Sequence, residues 1–318
     1  KANAMSVSAK DNTVLKGIAG TVSVDVGGTT VGLNLGGSVV NNKIGDSKTK
    51  QDVLAQINNS SINSTEAANI NVKAENYANI LSVAAGGAAV VSPGLASIGA
   101  SGSVAVDNIY TLTDASMTDT DINAGSAKAG NVKLEAISDT KVVTTADALS
   151  INVGLGKVAV DAMATVAKVN SDADTTAGIY GKEKDNKATQ NVKNETVKAD
   201  YKNNITNVAV GLNGAGAAGL ASVGVLANVA INKIANDTKA EVSNANISAD
   251  NLGVLAVSDE KLNNYGGALN ISISVGQAGV ALGATTVVNT ILGDTTALVN
   301  NSELEVSGVG EGIALGQE

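Results

Sequence analysis

Two acidic clusters are the residues whose type and spacing come nearest to ligand chemistry. They are Asp114, Asp119 and Asp121 in DASMTDTD, and Asp172 and Asp174 in SDADTT. Carboxylates this close could offer oxygens to calcium, a hard cation that takes six to eight of them. Neither stretch carries the EF-hand loop or the GGxGxD nonapeptide. Aspartates at a chain corner bond their own backbone, which is the simpler reading. The sequence is therefore read as holding no metal, no cofactor and no catalytic residue. Lys182, Glu183, Lys184, Asp185 and Lys187, in the charged stretch GKEKDNKATQNVKNET (181–196), interrupt an otherwise apolar pattern. They are read as a contact loop for a receptor or glycan, against the plainer view of a solvated bulge that discourages lateral strand pairing.

Absent residue types narrow the chemistry further. There is no His and no Cys, which removes histidine general catalysis, thiol chemistry, haem ligation and ordinary zinc sites. All 21 basic residues are lysine, so no guanidinium fork can grip a phosphate. With a formal net charge of −9, nucleic acid is an unfavourable partner. Carboxylates alone serve some glycan-cleaving enzymes, but no recognisable acid pair stands here. Aromatic residues are 2% of the chain and all are tyrosine, so Ala, Val, Gly, Ile and Leu must fill the interior. The opening KANAMSVSAK has no signal-peptide pattern, which suggests either a cytosolic chain or an internal piece of an exported one.

The elements that position these residues follow from a repeat. Residues 205–232, ITNVAVGLNGAGAAGLASVGVLANVAIN, carry no charge, and similar stretches begin near Ser23, Ser82, Ser150 and Ser272. Four are followed by an Asn or Asp and an Ile, at Ile44, Ile109, Ile234 and Ile291; the third copy has Val169 there. Thr49, Thr113, Thr175, Thr238 and Thr295 come next, spaced 64, 62, 63 and 57 residues apart. Ala74, Ala136, Ala199 and Ala256, in pieces such as NINVKAEN and NVKLEAIS, are spaced 62, 63 and 57 apart. Two landmarks with one rhythm define five copies of about sixty residues: 18–80, 81–142, 143–205, 206–264 and 265–318. Asn42, Asn108, Asn232 and Asn289 occupy one position of this repeat and are read as structural turn residues that satisfy backbone groups at a corner.

Within a copy the period is two. Leu149, Ile151, Val153 and Leu155 alternate with smaller or polar residues, as do Ile70, Val72 and Ala74. Gly211, Gly214, Gly216 and Gly219 would each cost a helix roughly 1 kcal/mol. A membrane-spanning helix and a glycine-rich helix hairpin are therefore disfavoured. The expected fold is all-β: a parallel β-helix, or solenoid, built from about five repeats of ~60 residues as a single unit, 1–318. At about twenty residues per coil, each repeat would supply about three coils. Fifteen coils at ~4.8 Å would make a rod of roughly 70 Å. The charge-free run is expected to be a pair of buried strands, and equivalent asparagines would lie three coils apart. Tyr77, Tyr201 and Tyr265 are placed at a corner on one flank of the rod, where exposed rings would suit carbohydrate or protein contact.

Gly-rich apolar strands, then V-N-x-I, D-T-x-A-x-V and N-V-x-V-x-A-x-S-D, resemble the repeats of the leukotoxin family of large filamentous adhesins. The best matches are GVLANVAINKIANDTKAEVSNANISA (224–249) and NVKLEAISDTKV (131–142). The resemblance runs from about Ile18 onward and implies a long β-helical passenger exported by a Gram-negative anaerobe. It implies a secreted or cell-surface location, a host-cell surface protein or glycan as partner, an outer-membrane secretion partner, and a role in attachment or leukocyte killing. An alternative is a membrane-damaging cytotoxin segment; a polysaccharide-degrading β-helical enzyme ranks third. The lack of Phe and Trp leaves no aromatic girdle, so stable membrane insertion is not expected.

Overall fold

The structure, a computed structural model, describes the backbone of residues 2–27, 30–123, 127–182, 187–308 and 313–317. Among these residues the regular structure is β-strand throughout, as the two-residue period requires. The chain is an all-β parallel β-helix. Coil one runs through β1 (Ala2–Val26), β2 (Val31–Ile44), β3 (Gln51–Asn58) and β4 (Ser61–Ile62). Coil two holds β5 (Ser64–Ser92), β6 (Ala96–Thr118) and β7 (Asp121–Ile122); coil three holds β8 (Ala129–Gly154) and β9 (Val158–Tyr180). Coil four consists of β10 (Ala188–Ala217), β11 (Ala221–Ala235), β12 (Thr238–Ser243) and β13 (Ala245–Ala249). Coil five consists of β14 (Asn251–Ser274), β15 (Ala278–Leu292), β16 (Thr295–Asn300) and β17 (Glu303–Val306). β18 (Ile313–Gln317) then pairs with β14 and opens a sixth.

Each repeat makes one coil, not three. Met5, Ile70, Val132, Glu195 and Leu252 stand side by side in successive coils, all in parallel register. In place of three short coils, the repeat is spanned by long strands such as β5, of 29 residues, and β10, of 30. Most glycines of the apolar runs, such as Gly86, Gly87, Gly214 and Gly216, remain in extended backbone, so the alternation passes through them without a turn, while Gly94, Gly156, Gly219 and Gly276 stand at the bends that join the two sheets. The coil is correspondingly broad and the stack short. Five coils at ~4.8 Å amount to about 24 Å, while the stretch of β10 in the first sheet, Asn194–Ala217, extends for about 80 Å at ~3.3 Å per residue.

The long strands β1, β5, β8, β10 and β14 form one sheet, and β2, β6, β9, β11 and β15 form the sheet facing it. At one end of the coil the short strands β4, β7, β13 and β17, with the start of β10, close a third side. This end encloses the main apolar core, with Val53, Ile70, Met117, Leu134, Ile179, Val197, Ile247 and Val254. The corner that turns into the third side is left-handed in four coils. Asn59, Asp119, Asn244 and Asn301 have φ between 45° and 52°, a region that short polar side chains tolerate best. Gly181 stands there in coil three.

Toward the other end the interior thins layer by layer. An isoleucine-rich layer (Ile44, Ile80, Ile109, Ile205, Ile234) gives way to an alanine layer (Ala84, Ala105, Ala146, Ala167, Ala209, Ala230). Beyond it the facing backbones nearly touch. A Cβ on Gly36 would stand 2.1 Å from the Gly87 carbonyl oxygen, and one on Gly86 would stand 2.3 Å from that of Gly102. Glycine is required at both positions because no side chain fits between the sheets.

Candidate interaction surface

Where the sheets run this close, the usual distribution of side chains is inverted. In the charge-free run, β10 and β11 do form the expected strand pair, joined at residues 218–220. Yet Asn207, Asn213, Ser222, Asn228 and Asn232 point inward and are buried, beside Ile205, Leu226 and small alanines. Leu212, Leu220 and Val225 point outward and are exposed. The expectation that both strands are buried therefore fails for their outer faces. A gap this thin admits mostly Ser, Asn, Thr, Ala and Gly, with Leu226 fitting inward against Met163 and Ala148, and most of the large apolar residues of the alternation take the other side.

Backbone carbonyls and neighbouring polar groups satisfy much of this polar interior. Asn207 Nδ2 donates to the carbonyls of Ala167 and Ile231, both at 3.1 Å, and to Asn232 Oδ1 at 3.0 Å. Asn264, one coil on, bonds the Ala230 and Val288 carbonyls and Asn289 Oδ1 in the same manner. Asn152 Nδ2 donates to Ser97 O at 3.0 Å and Val160 O at 2.6 Å, tying the two sheets together. Two carboxyls share the interior. Burial raises the pKa of Asp107, opposed by hydrogen bonds from Ser82 and Thr144. Burial pushes Asp161 up to about 6, opposed by the Ser150 hydroxyl.

The sequence candidates fall into this frame as follows. Asn42, Asn108, Asn232 and Asn289 lie within β2, β6, β11 and β15 rather than at turns. Their bonds run between sheets and between coils: Asn42 Nδ2 reaches Ser82 Oγ at 2.7 Å, and Asn232 Nδ2 reaches Asn289 Oδ1 at 3.2 Å. Asn232 and Asn289 are thus next-coil neighbours, because one repeat is one coil. Asn108 is displaced by one residue; Asp107 is the partner of Asn42, and Asn108 lies beside Lys43 and Asn170. The landmark threonines Thr113, Thr175, Thr238 and Thr295 do form one column, and Val53 rather than Thr49 precedes them.

The acidic clusters are taken up by the chain itself. Lys50 Nζ binds both Asp172, at 2.6 Å, and Asp174, at 2.7 Å. Asp114 accepts from Gln56 and Ser116, and Asp121 accepts from the Thr189 amide. No group of three or more acidic residues is placed to hold a metal among the described residues. Of the charged stretch, Glu183, Lys184 and Asp185 lie outside the described residues. Lys182 is exposed, 3.8 Å from Asp119, and Lys187 directly precedes β10. The tyrosines do not share a flank. Tyr201 is fully buried and takes a hydrogen bond from Asn236 at 2.7 Å. Tyr77 is half-buried and points outward, and Tyr265 is exposed. Lys10 Nζ stands 5.2 Å from the Tyr77 ring centre, and the two share a shallow groove with Asn12, Asn79, Asp139 and Lys141.

The surface that sequence reasoning missed is the outer face of the thin half. On the first sheet it presents Val22, Val24 and Val26 of coil one, Leu149, Ile151 and Val153 of coil three, and Leu269, Ile271 and Ile273 of coil five. Val24 is 65% exposed, Ile151 46% and Ile273 63%. Asp147 is the single charged residue among the outward positions of this band, and burial raises its pKa. The alternation itself was legible; what hid this surface was the assumption that the larger residue of each pair points inward. No helix among the described residues is long and apolar enough to cross a membrane. No protein family, curated protein or solved structure matches the chain.

Proposed function

We propose that this chain is a non-catalytic segment of the shaft of a secreted filamentous adhesin of the leukotoxin type. Its task would be to extend and present a surface for host-cell attachment. The observation that carries the reading is the one-repeat, one-coil register, with open ladders at both ends of the stack: β1 and β2 at one, β15 and β18 at the other. A fold of this kind lengthens by adding repeats without altering the coils already present. The groove at Lys10, Tyr77, Asp139 and Lys141 offers what a glycan needs, a ring face flanked by hydrogen-bonding side chains. The partners on this reading are a host-cell surface protein or glycan and an outer-membrane secretion partner for the longer chain.

Beads coated with the purified chain test it directly. They are expected to bind host epithelial cells or leukocytes above beads coated with an unrelated β protein, and the Tyr77→Ala chain to bind less. Equal binding by the unrelated control would leave the chain a spacer with no adhesive role. A second reading, a membrane-damaging segment, draws on the apolar outer face. Dye release from liposomes by the isolated chain would favour it.

A further inference from the structure

The apolar face of the first sheet is not smooth. Coils one, three and five carry the large residues already named, whereas at the matching positions coil two carries Gly87, Ala89 and Val91, and coil four carries Leu212, Gly214 and Gly216, so that two of the three are small in each. Large residues thus form ridges along alternate strands, with grooves between them. One groove is lined by Gly20, Val22, Ala85, Gly87, Leu149 and Ile151, and a second, beside it, by Asp147, Val208, Val210 and Leu212. Ridges recur every second coil, about 9.6 Å apart, so a copy of the same face displaced by one coil would set its ridges over these grooves.

The extent of the face fits such a partner. Nine residues at ~3.3 Å by five strands at ~4.8 Å cover roughly 700 Å², close to the ~800 Å² per partner of a standard stable interface. Patches of this size on a water-exposed surface mark interaction sites. Further coils would stack on the ladder ends and leave the face bare. A bilayer is the poorer occupant. The end strands present unpaired amides and carbonyls that hydrocarbon cannot satisfy, while a face-to-face pair keeps them in water.

We infer that this face binds a second copy of the chain, ridge into groove, so that shafts associate side by side through their thin halves. The inference needs only the coil fold and is independent of the adhesive role. Sedimentation equilibrium of the full chain at tens of micromolar tests it, with far-UV circular dichroism to confirm that each variant remains folded. The wild-type chain is expected to be dimeric. Ile151→Lys places a charge on a ridge. Gly87→Leu fills a groove, and a Cβ at Gly87 meets nothing closer than 3.4 Å, so the coil accepts it. Both variants are expected to be monomeric, and Asn204→Glu, outward on the polar half, to remain dimeric. A monomeric wild-type chain would overturn the inference, as would dimers that persist in both face variants. So would a chain that is monomeric in buffer but floats with phosphatidylcholine–phosphatidylserine vesicles, since the occupant would then be lipid.

Discussion

Glu195 shows what a single residue does when it breaks its column. Its neighbours along the stack are Val132 and Leu252, and it is buried with neither carboxyl oxygen hydrogen-bonded. Burial pushes its pKa up to about 8. The folded chain therefore holds a proton that the unfolded chain releases near the ordinary glutamate value. Stability contributed by the neutral form is fully present below about pH 4.5 and is lost as pH rises toward 8, by about 5 kcal/mol in total. Glu195→Leu, matching its neighbour Leu252, is expected to raise stability most at pH 9 and to flatten this decline, as read by urea unfolding at pH 5 and pH 9. A different kind of residue is Asn207, whose amide serves three acceptors across the thin half. Asn207→Ala is expected to cost roughly 2–3 kcal/mol, because carbonyls are left buried without their donor. Neither residue was legible beforehand. Composition identifies a glutamate or an asparagine in a strand but not which face that strand turns inward. The alanine column at Ala74, Ala136, Ala199 and Ala256 was legible, because one inward position that tolerates one size repeats in every coil.

At the scale of the strand, adjacent glycines answer to opposite constraints. Gly86 faces the opposing backbone and Gly87 faces solvent. Gly86→Ala is expected to destabilise the chain by roughly 3 kcal/mol or more by prising the sheets apart, whereas Gly87→Ala should change stability by less than about 1 kcal/mol. Thermal unfolding of the two variants side by side checks the contrast. Alternation identified these segments as strands, and the cost of their glycines to a helix supported that. It did not reveal their length, since glycine in sequence looks the same whether it turns the chain or lets two sheets approach. The corner residues Asn59, Asp119, Asn244 and Asn301 could have been found, as each precedes a small residue and, three residues on, an Ile or Leu that enters the core: Ile62, Ile122, Ile247, Leu304.

For the whole molecule, one repeat per coil means that coils are removable units. Asn131 and Asn194 occupy the same place in successive coils. Deleting residues 131–193 would therefore join the chain in register. The product is expected to fold as an all-β protein whose stack, measured by small-angle scattering, is shorter by about 4.8 Å. Loss of the strand signal on deletion would mean that the coils are not interchangeable. The five-fold repetition, the parallel β class and the absence of an aromatic core were legible from spacing and composition. The breadth of the coil was not, because that depends on how far a strand continues before it turns.

The parallel register also governs how the chain reaches this state. Every rung joins residues some sixty positions apart, as Ile70 and Val132 are joined, so no rung can form until a loop of that size has closed. Closure entropy grows only slowly with loop length, and one closure then admits some two dozen rungs together. The barrier therefore lies almost entirely in the first encounter, and topologies of such distant partners fold slowly. A finished coil removes most of that search by offering an edge to the incoming chain. Growth from a seed, one turn at a time, follows from this, and refolding is expected to show a lag that pre-folded chain added at the start abolishes.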